Sequence, residues 1–243
     1  MGMADSPPKV KVSQNDLREL RRVFDFLADF APKHKLRKEL KPKQERRAKI
    51  ATFLANQDSV KIVDETGAEL PLAVVTLEDR RLEEECAALT RRIEEIDAKP
   101  DTVKRVHARD LMMALEFLGK HTNKKEVEDM LWEVDEDIDG AVSWSEFELM
   151  FCRNIQDKTG LEPCQLFSVV QFLMYDKEFT GMVSLDETMH MLYNRYGKDR
   201  LEAEMKALFG DSVTSDGNAR LSFLNYLSAV KARATAVAAT AAL

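Results

Sequence analysis

Oxygen-bearing side chains recur at fixed intervals within the segment 135–146, at its positions 1, 3, 5, 9 and 12. This spacing lets one loop surround a calcium ion, a hard cation that takes about six to eight oxygen ligands at about 2.3–2.6 Å. Gly140 stands at position 6, where a sharp bend requires a positive φ. We therefore predict a calcium site in this segment. Its expected ligands are Asp135, Asp137, Asp139, the backbone carbonyl of Ala141, Ser143 directly or through water, and both carboxylate oxygens of Glu146.

Apolar residues on both sides of this segment repeat at helical spacing, which predicts one helix before the loop and another after it. Asn123 and Glu126 have the spacing of a capping box at the start of the first helix, and Ser143 and Glu146 have it at the start of the second. An acidic surface turn between two helices is the alternative, but the coincidence of four carboxylates, the glycine and both helical stripes disfavours it. The stripes consist of Val127, Leu131 and Val134 before the loop, and of Phe147, Met150 and Phe151 after it.

A second segment, 176–187, keeps part of the same pattern, with Gly181 at position 6. It departs at position 3, where Glu178 is one methylene longer than aspartate, and at position 5, where Thr180 carries no charge. Fewer ligand carboxylates predict weaker calcium binding, and a magnesium-filled or purely structural loop is the alternative. The candidate ligands are Asp176, Glu178, Thr180, the backbone carbonyl of Met182, Ser184 and Glu187.

Two further segments have the outline of the same loop without its ligands. Segment 99–110 begins with Lys99, a positive charge where the first ligand is needed. Segment 214–225 has Thr214 at position 1 and Asn225 at position 12, so it lacks the closing bidentate carboxylate. Neither segment is expected to bind calcium.

Residues 99–227 therefore resemble the calmodulin and troponin C family of EF-hand proteins. The resemblance implies an all-α fold with four EF-hand units in two lobes, one pair over 77–155 and the other over 156–230. Sensor members of this family expose a methionine-rich groove to a partner helix when calcium binds. Nine of the eleven methionines lie between Met112 and Met205, which fits either such a groove or an ordinary core. Short β pairing within each lobe is expected at position 8 of the loops, at Val106, Val142, Val183 and Leu221.

Positive charge is concentrated near the beginning of the chain. Residues 1–60 hold 14 Lys and Arg against 8 Asp and Glu, whereas residues 61–243 hold 22 against 35. The richest part, Lys33 to Lys49, contains nine basic residues. It indicates an acidic protein partner such as the tubulin surface, or else a solvated helix face. Nucleic acid is a weaker candidate because no recognition motif is present.

The segment 1–76 is predicted to be a helical extension that precedes the EF-hand pairs, with a loose tail over 1–13. Residues 231–243 are rich in alanine and threonine, and we expect them to form a flexible tail. The predicted elements before the first pair are helices from Asn15 to near Pro32, from about Lys43 to Ala55 and from Leu77 to Asp97, with a weak hairpin over 60–70.

Other classes of function find little support in the composition. The apolar runs are far shorter than the ~20 residues of a membrane helix, and the first residues show no signal pattern, so we expect a cytoplasmic protein. Three cysteines without CxxC spacing disfavour a disulfide scaffold or a zinc site. The sequence shows no nucleophile–base pair and no phosphate-binding loop, so we expect no enzyme.

Two functional hypotheses follow. In the first, calcium binding makes the chain a responsive adaptor or regulatory subunit of a protein assembly. In the second, the EF-hands act as helix clamps in a constitutively docked structural subunit, because the domain pattern resembles EF-hand proteins of ciliary and flagellar microtubules. Calcium is the expected cofactor in both, with magnesium as an alternative occupant.

Overall fold

The computed structural model describes residues 12–55, 71–100, 102–157, 162–196, 198–209 and 220–241. The predicted hairpin over 60–70, residues 214–219 of the last loop segment and most of the predicted N-terminal tail lie outside these ranges. Helices make up most of the described chain. The helices are α1 Gln14–Leu27, α2 Phe30–Ala55, α3 Leu72–Asp97, α4 Ala108–Phe117, α5 Lys124–Trp132, α6 Trp144–Gln156, α7 Gln165–Tyr175, α8 Leu185–Tyr196, α9 Lys198–Phe209 and α10 Phe223–Ala241. The strands are β1 Val106–His107, β2 Ala141–Val142, β3 Met182–Ser184 and β4 Arg220–Ser222.

Helix α1 begins at a capping box formed by Ser13 and Asp16, which satisfies backbone N–H groups in its first turn. The sequence placed its end near Pro32, but the helix ends at Leu27. The reason lies at Asp29, whose φ of +54° is left-handed and cannot continue an α-helix. Aspartate tolerates this conformation better than most residues, so the break needs no glycine.

Helix α2 runs without interruption from Phe30 to Ala55, so the prediction of a helix that starts only near Lys43 was wrong. Pro32 lies in the first turn, where its missing N–H would have no helical partner anyway. Pro42 lies inside the helix, where proline costs about 3 kcal/mol in helix propensity. Packing of α2 against α3 offsets this cost.

Helix α3 begins at Leu72, five residues before the predicted start, with Pro71 at its N-cap. Its predicted apolar stripe faces α2, where Leu36 and Leu40 pack with Cys86 and Leu89. The observed partner is α2 because the two helices form a hairpin within one compact unit.

Contacts divide the chain into two compact units, one over Asp29–Val103 and the other over Met1–Ala28 with Lys104–Leu243. The sequence analysis instead predicts a domain boundary between residues 76 and 77. Helix α1 belongs to the second unit because its apolar face, including Leu20, Val23 and Phe24, is buried among helices α4, α6 and α7.

The second unit contains two antiparallel strand pairs, each of which joins two loop segments. Val106 pairs with Val142 in the first, and Val183 pairs with Leu221 in the second. The predicted β pairing at position 8 of the loops is thereby confirmed at all four positions.

Helix α10 continues to Ala241 and so covers most of the predicted flexible tail. Alanine has the highest helix propensity, which accounts for a helical backbone in this segment. Its mobility stays a prediction. Among the described helices, none combines the length and the apolar character needed to cross a membrane.

Candidate metal centre

The segment 135–146 connects α5 to α6 through a tight loop that contains strand β2. Gly140 has a φ of +83° at position 6, as the sequence predicted. Ile138 at position 4 also adopts a left-handed φ, of +59°, although it is β-branched and 75% exposed. Such a conformation is strained for a β-branched residue, so the rest of the loop must hold it in place.

Three of the predicted ligands converge in this loop. Carboxylate oxygens of Asp135, Asp137 and Asp139 all lie within 4.8 Å of one another. Backbone N–H groups orient them: the Gly140 N–H donates to Asp135 Oδ2 at 2.8 Å, and the Ala141 N–H donates to Asp139 Oδ1 at 2.9 Å. These bonds hold three hard oxygen donors around a common point, which suits a calcium ion.

Glu146, the predicted bidentate ligand, is buried in the first turn of α6. Its Oε2 accepts hydrogen bonds from the Ser143 N–H at 2.8 Å and from the Ser143 hydroxyl at 2.6 Å. Its Oε1 accepts from the Glu136 N–H at 2.9 Å. Burial alone would raise the pKa of Glu146, but these bonds outweigh it and hold the pKa below its usual range. Both oxygens are therefore charged and fixed at the end of the loop, and the predicted capping box is confirmed.

Negative charge within the loop is only partly balanced. Desolvation raises the pKa of Asp137, and the charges of Asp139, Glu146 and Asp135 raise it further, against a lowering hydrogen bond from the Asp139 backbone. A bound divalent cation would relieve this repulsion. Arg105, from the partner loop, places its Nε 3.7 Å from Asp139 Oδ2 and supplies some positive charge.

Replacing Arg105 with glutamine is expected to tighten calcium binding about two- to fivefold, since exposed ion pairs contribute about 0.2–1 kcal/mol. The arginine competes with calcium for the charge of Asp139. Calcium titration of the Arg105→Gln chain tests this, with Arg109→Gln as the control, because Arg109 is an exposed cation of the same segment. Weaker binding by Arg105→Gln alone would instead show that Arg105 orders the loop.

The segment 176–187 follows nearly the same backbone path between α7 and α8. Phe179 at position 4 and Gly181 at position 6 have φ values of +52° and +80°. Asp176 Oδ2 accepts from the Gly181 N–H at 2.6 Å, and Glu187 Oε2 accepts from the Ser184 N–H at 2.8 Å. These bonds repeat those of the first loop, so two of the predicted ligands are anchored alike.

The other predicted ligands of this second loop are arranged less favourably. The Thr180 hydroxyl donates to the Met182 carbonyl at 2.9 Å, so it engages the backbone oxygen expected to bind calcium. Glu178 is exposed, and the structure, within its described ranges, brings only Asp135, Asp137 and Asp139 together as a cluster of three acidic groups. Burial raises the pKa of Asp176 despite hydrogen bonds from Thr180 and Gly181 that lower it. The second loop is thus built like the first but presents fewer charged oxygens.

Of the two degenerate segments, 99–110 is described in full except for residue 101. Lys99 makes an ion pair with Asp29 at 2.9 Å, both within the α2–α3 unit. The lysine is thus held outside any ligand set. This segment supports the first loop by contributing strand β1 and Arg105.

Helix α1 reaches the second loop through Arg22, a contact that the sequence analysis missed. The Arg22 guanidinium lies at the C-terminal end of α7, where the last carbonyl groups of a helix lack intrahelical partners and a positive charge is favourable. It donates to the carbonyl oxygens of Leu173 at 2.8 Å, Met174 at 3.4 Å, Asp176 at 3.2 Å and Lys177 at 3.1 Å.

Aromatic contacts continue the interface between α1 and both loops. Phe26 stacks on Phe179 of the second loop with ring centroids 3.8 Å apart, and Arg22 lies over the same ring at 4.4 Å. Phe24 meets Trp144, which lies near the end of the first loop, edge-on at 5.4 Å. The apolar stripe of α1 was visible in the sequence, but its partner was not.

Trp132 and the methionines include both exposed and buried side chains. Trp132 is 71% exposed beside the first loop. Met130, Met150 and Met174 are buried, whereas Met189 is exposed. Several of the methionines thus belong to the core, which was the alternative to a partner groove.

A comparison with protein families agrees with this geometry. Residues 108–151 match the family model described as an EF-hand domain pair. The matched region runs from the start of α4 into α6 and includes the whole loop 135–146.

Proposed function

We propose that the chain is a calcium-binding regulatory protein of the EF-hand superfamily rather than an enzyme. The match of residues 108–151 to the EF-hand domain pair supports this proposal. The observation that carries the proposal is the loop 135–146. Three aspartate carboxylates converge there within 4.8 Å, and Glu146 is held charged at the loop's last position. Calcium binding would neutralise the repulsion among these carboxylates and join α5 to α6 through shared ligands.

We extend the proposal to a second EF-hand pair in the later part of the chain. The pairing of Val183 with Leu221 matches the pairing of Val106 with Val142, and the loop 176–187 repeats the turns of loop 135–146. Together the two pairs would make four EF-hand units. The weaker ligand set of 176–187 predicts that this loop binds calcium less tightly, or holds magnesium.

The regulation that we propose acts through α1. In sensor EF-hand proteins, calcium exposes an apolar groove that receives a partner helix. In this chain the apolar face of α1 already packs against the helices that carry the loops, with Leu20, Val23 and Phe24 fully buried. Helix α1 would therefore be the chain's own ligand, and an outside helix would have to compete with it.

Arg22 provides the link between α1 and calcium. It donates to carbonyl groups at the end of α7 and at the first residues of loop 176–187, so a rotation of α7 relative to this loop would break some of these bonds. Any such coupling is reciprocal: if calcium weakens the docking of α1, docked α1 weakens calcium binding by the same factor.

A second candidate function is favoured by the same interface. Helix α1 buries five of its residues, and its Arg22 donates a hydrogen bond to the carbonyl of Leu173 at the end of α7. Such an extensive contact is consistent with a helix that stays bound at all times. The chain would then be a structural subunit with the EF-hands as clamps, as in a cytoskeletal assembly such as the microtubules of cilia or flagella.

A calcium titration of the full chain in excess magnesium tests the first proposal. Calcium regulation predicts at least one site within about 10⁻⁷–10⁻⁵ M, the range of sensor EF-hands. Hydrogen exchange of the α1 amides, measured with and without saturating calcium, separates the two candidates. A change of about tenfold or more supports regulation through α1, and unchanged exchange supports the structural subunit. Absence of any binding in this range would overturn calcium regulation.

A further inference from the structure

Helix α2 carries two populations of basic residues on opposite faces. The nine basic residues between Lys33 and Lys49 divide into four that form ion pairs with α3 and five that are exposed. Both sets of basic residues lie within the α2–α3 unit.

On the inner face of α2, which packs against α3, each basic residue forms an ion pair with an acidic residue of α3. Arg46 makes a two-pronged contact with Glu78, at 2.8 and 3.1 Å. Arg47 pairs with Asp79 at 3.1 Å. The remaining pairs are Lys33 with Asp97 and Lys43 with Glu85. These four cations are therefore engaged and are unsuited to an outside partner.

The outer face carries Arg37, Lys38, Lys41 and Lys49, with Lys35 at its edge. Residues three or four apart share a helix face, so these side chains form a row about 18 Å long. All are exposed, and they make no ion pair with the part of the chain that the structure describes. Glu45 is the acidic residue on this face, whereas Glu39 lines the groove between α2 and α3.

The composition of this face distinguishes among classes of acidic partner. The face presents Gln44 and Ala48 between its cations and no aromatic or large aliphatic side chain, so it lacks the apolar anchors of a membrane-surface helix. Its charges are mostly lysines, which act as point charges, whereas arginine is preferred for bidentate phosphate contacts. A protein segment rich in carboxylates fits this chemistry best.

The opposite face of α2 shows the same kind of recognition within the chain, because α3 presents glutamates and aspartates to it at helical spacing. We propose that the outer face of α2, formed by Arg37, Lys38, Lys41 and Lys49, docks an acidic protein segment. The segment would be a run of Asp and Glu that spans this row. Calcium binding is not required, so this inference goes beyond the proposed function and stands independently of it.

Binding of a labelled oligoglutamate peptide, about 18 Å or longer, to the full chain tests the proposal by fluorescence anisotropy. The double variant Lys38→Glu/Lys41→Glu is expected to bind at least about tenfold more weakly at low salt. Binding by the unaltered chain should also weaken as ionic strength rises. The matched control is Arg80→Glu/Arg91→Glu, which changes the charge equally at two exposed arginines of α3.

Equal loss of binding in both double variants would overturn the proposal, since it would reflect net charge alone. Tighter binding of a single-stranded oligonucleotide of equal charge, or of anionic phospholipid vesicles, would also overturn it by assigning the face to another class of partner. Lys38→Gln/Lys41→Gln guards against a folding defect. It should give a smaller loss than the glutamate variant, with an unchanged helical circular dichroism signal.

Discussion

Replacing Glu146 with glutamine is expected to weaken calcium binding at loop 135–146 by about 100-fold or more. The substitution removes one negative charge and one of two equivalent ligand oxygens while keeping the size of the side chain. A 100-fold loss corresponds to about 2.7 kcal/mol, within reach of a charged ligand that closes the coordination shell.

The fold should survive this substitution because glutamine keeps one acceptor oxygen. That oxygen can still accept a hydrogen bond from Ser143. In the unaltered chain, Ser143 and Glu146 together form the capping box of α6. Glu148→Gln is the matched control: it removes the same charge from the same helix, two residues outside the loop. Calorimetric titration in excess magnesium should show the high-affinity site in the control and lose it in Glu146→Gln. An unchanged titration in Glu146→Gln would contradict the assignment of loop 135–146.

The conformation of the first loop, 135–146, was predictable because its determinants are local. Loop positions 1, 3, 5, 6 and 12 are set by chain geometry over a few residues, so the positions of Asp135, Gly140 and Glu146 follow from spacing alone. The strand pairing of Val106 with Val142 was also predictable, since it follows from the resemblance and from fixed positions in two loops.

The partner of α1 was not predictable in the same way. The stripe of Leu20, Phe24 and Leu27 shows that one face is buried, but a stripe does not identify the surface that covers it. Arg22 appears in the sequence as one more exposed cation, and its role depends on carbonyl groups about 150 residues away. No local pattern encodes such a contact.

The prediction of helix α2 failed for the opposite reason, because it gave local sequence signals more weight than tertiary packing. The sequence predicted one helix ending near Pro32 and another starting near Lys43, yet a single helix starts at Phe30 and continues through Pro42. Its stability comes from α3, through the buried cluster around Leu36 and Leu40 and through ion pairs such as Arg46 with Glu78. Tertiary packing thus outweighs the low helix propensity of Pro42.

The same helix changes the interpretation of the basic segment. Its nine cations suggested one uniform surface for an acidic partner. The structure divides them, because Lys43, Arg46 and Arg47 already have acidic partners on α3. Within the part of the chain that the structure describes, the outward row makes no ion pair. Charge counted along a sequence therefore overestimates the charge that a helix presents to a partner.

Replacing Phe24 with alanine is expected to loosen α1 more than any other single change in that helix. Phe24 is fully buried and meets two aromatic rings, Trp144 at 5.4 Å and Phe147 at 5.3 Å. Truncation of a buried phenylalanine to alanine removes about 3–5 kcal/mol of stability. If α1 docks as a separable element, its amides should exchange about 100-fold faster or more, while the amides of α5 and α6 keep their protection.

Arg18→Ala is the matched control for this experiment, because Arg18 is exposed on the same helix and alanine preserves the helix propensity. It should leave exchange in α1 nearly unchanged. Loss of protection across α5 and α6 as well would show that α1 is part of one cooperative core, which contradicts its role as a displaceable ligand. Calcium titration of Phe24→Ala then measures the coupling directly. Calcium binding that is tighter than in the unaltered chain means that docked α1 weakens calcium binding. Unchanged calcium binding means that the loops are not coupled to α1.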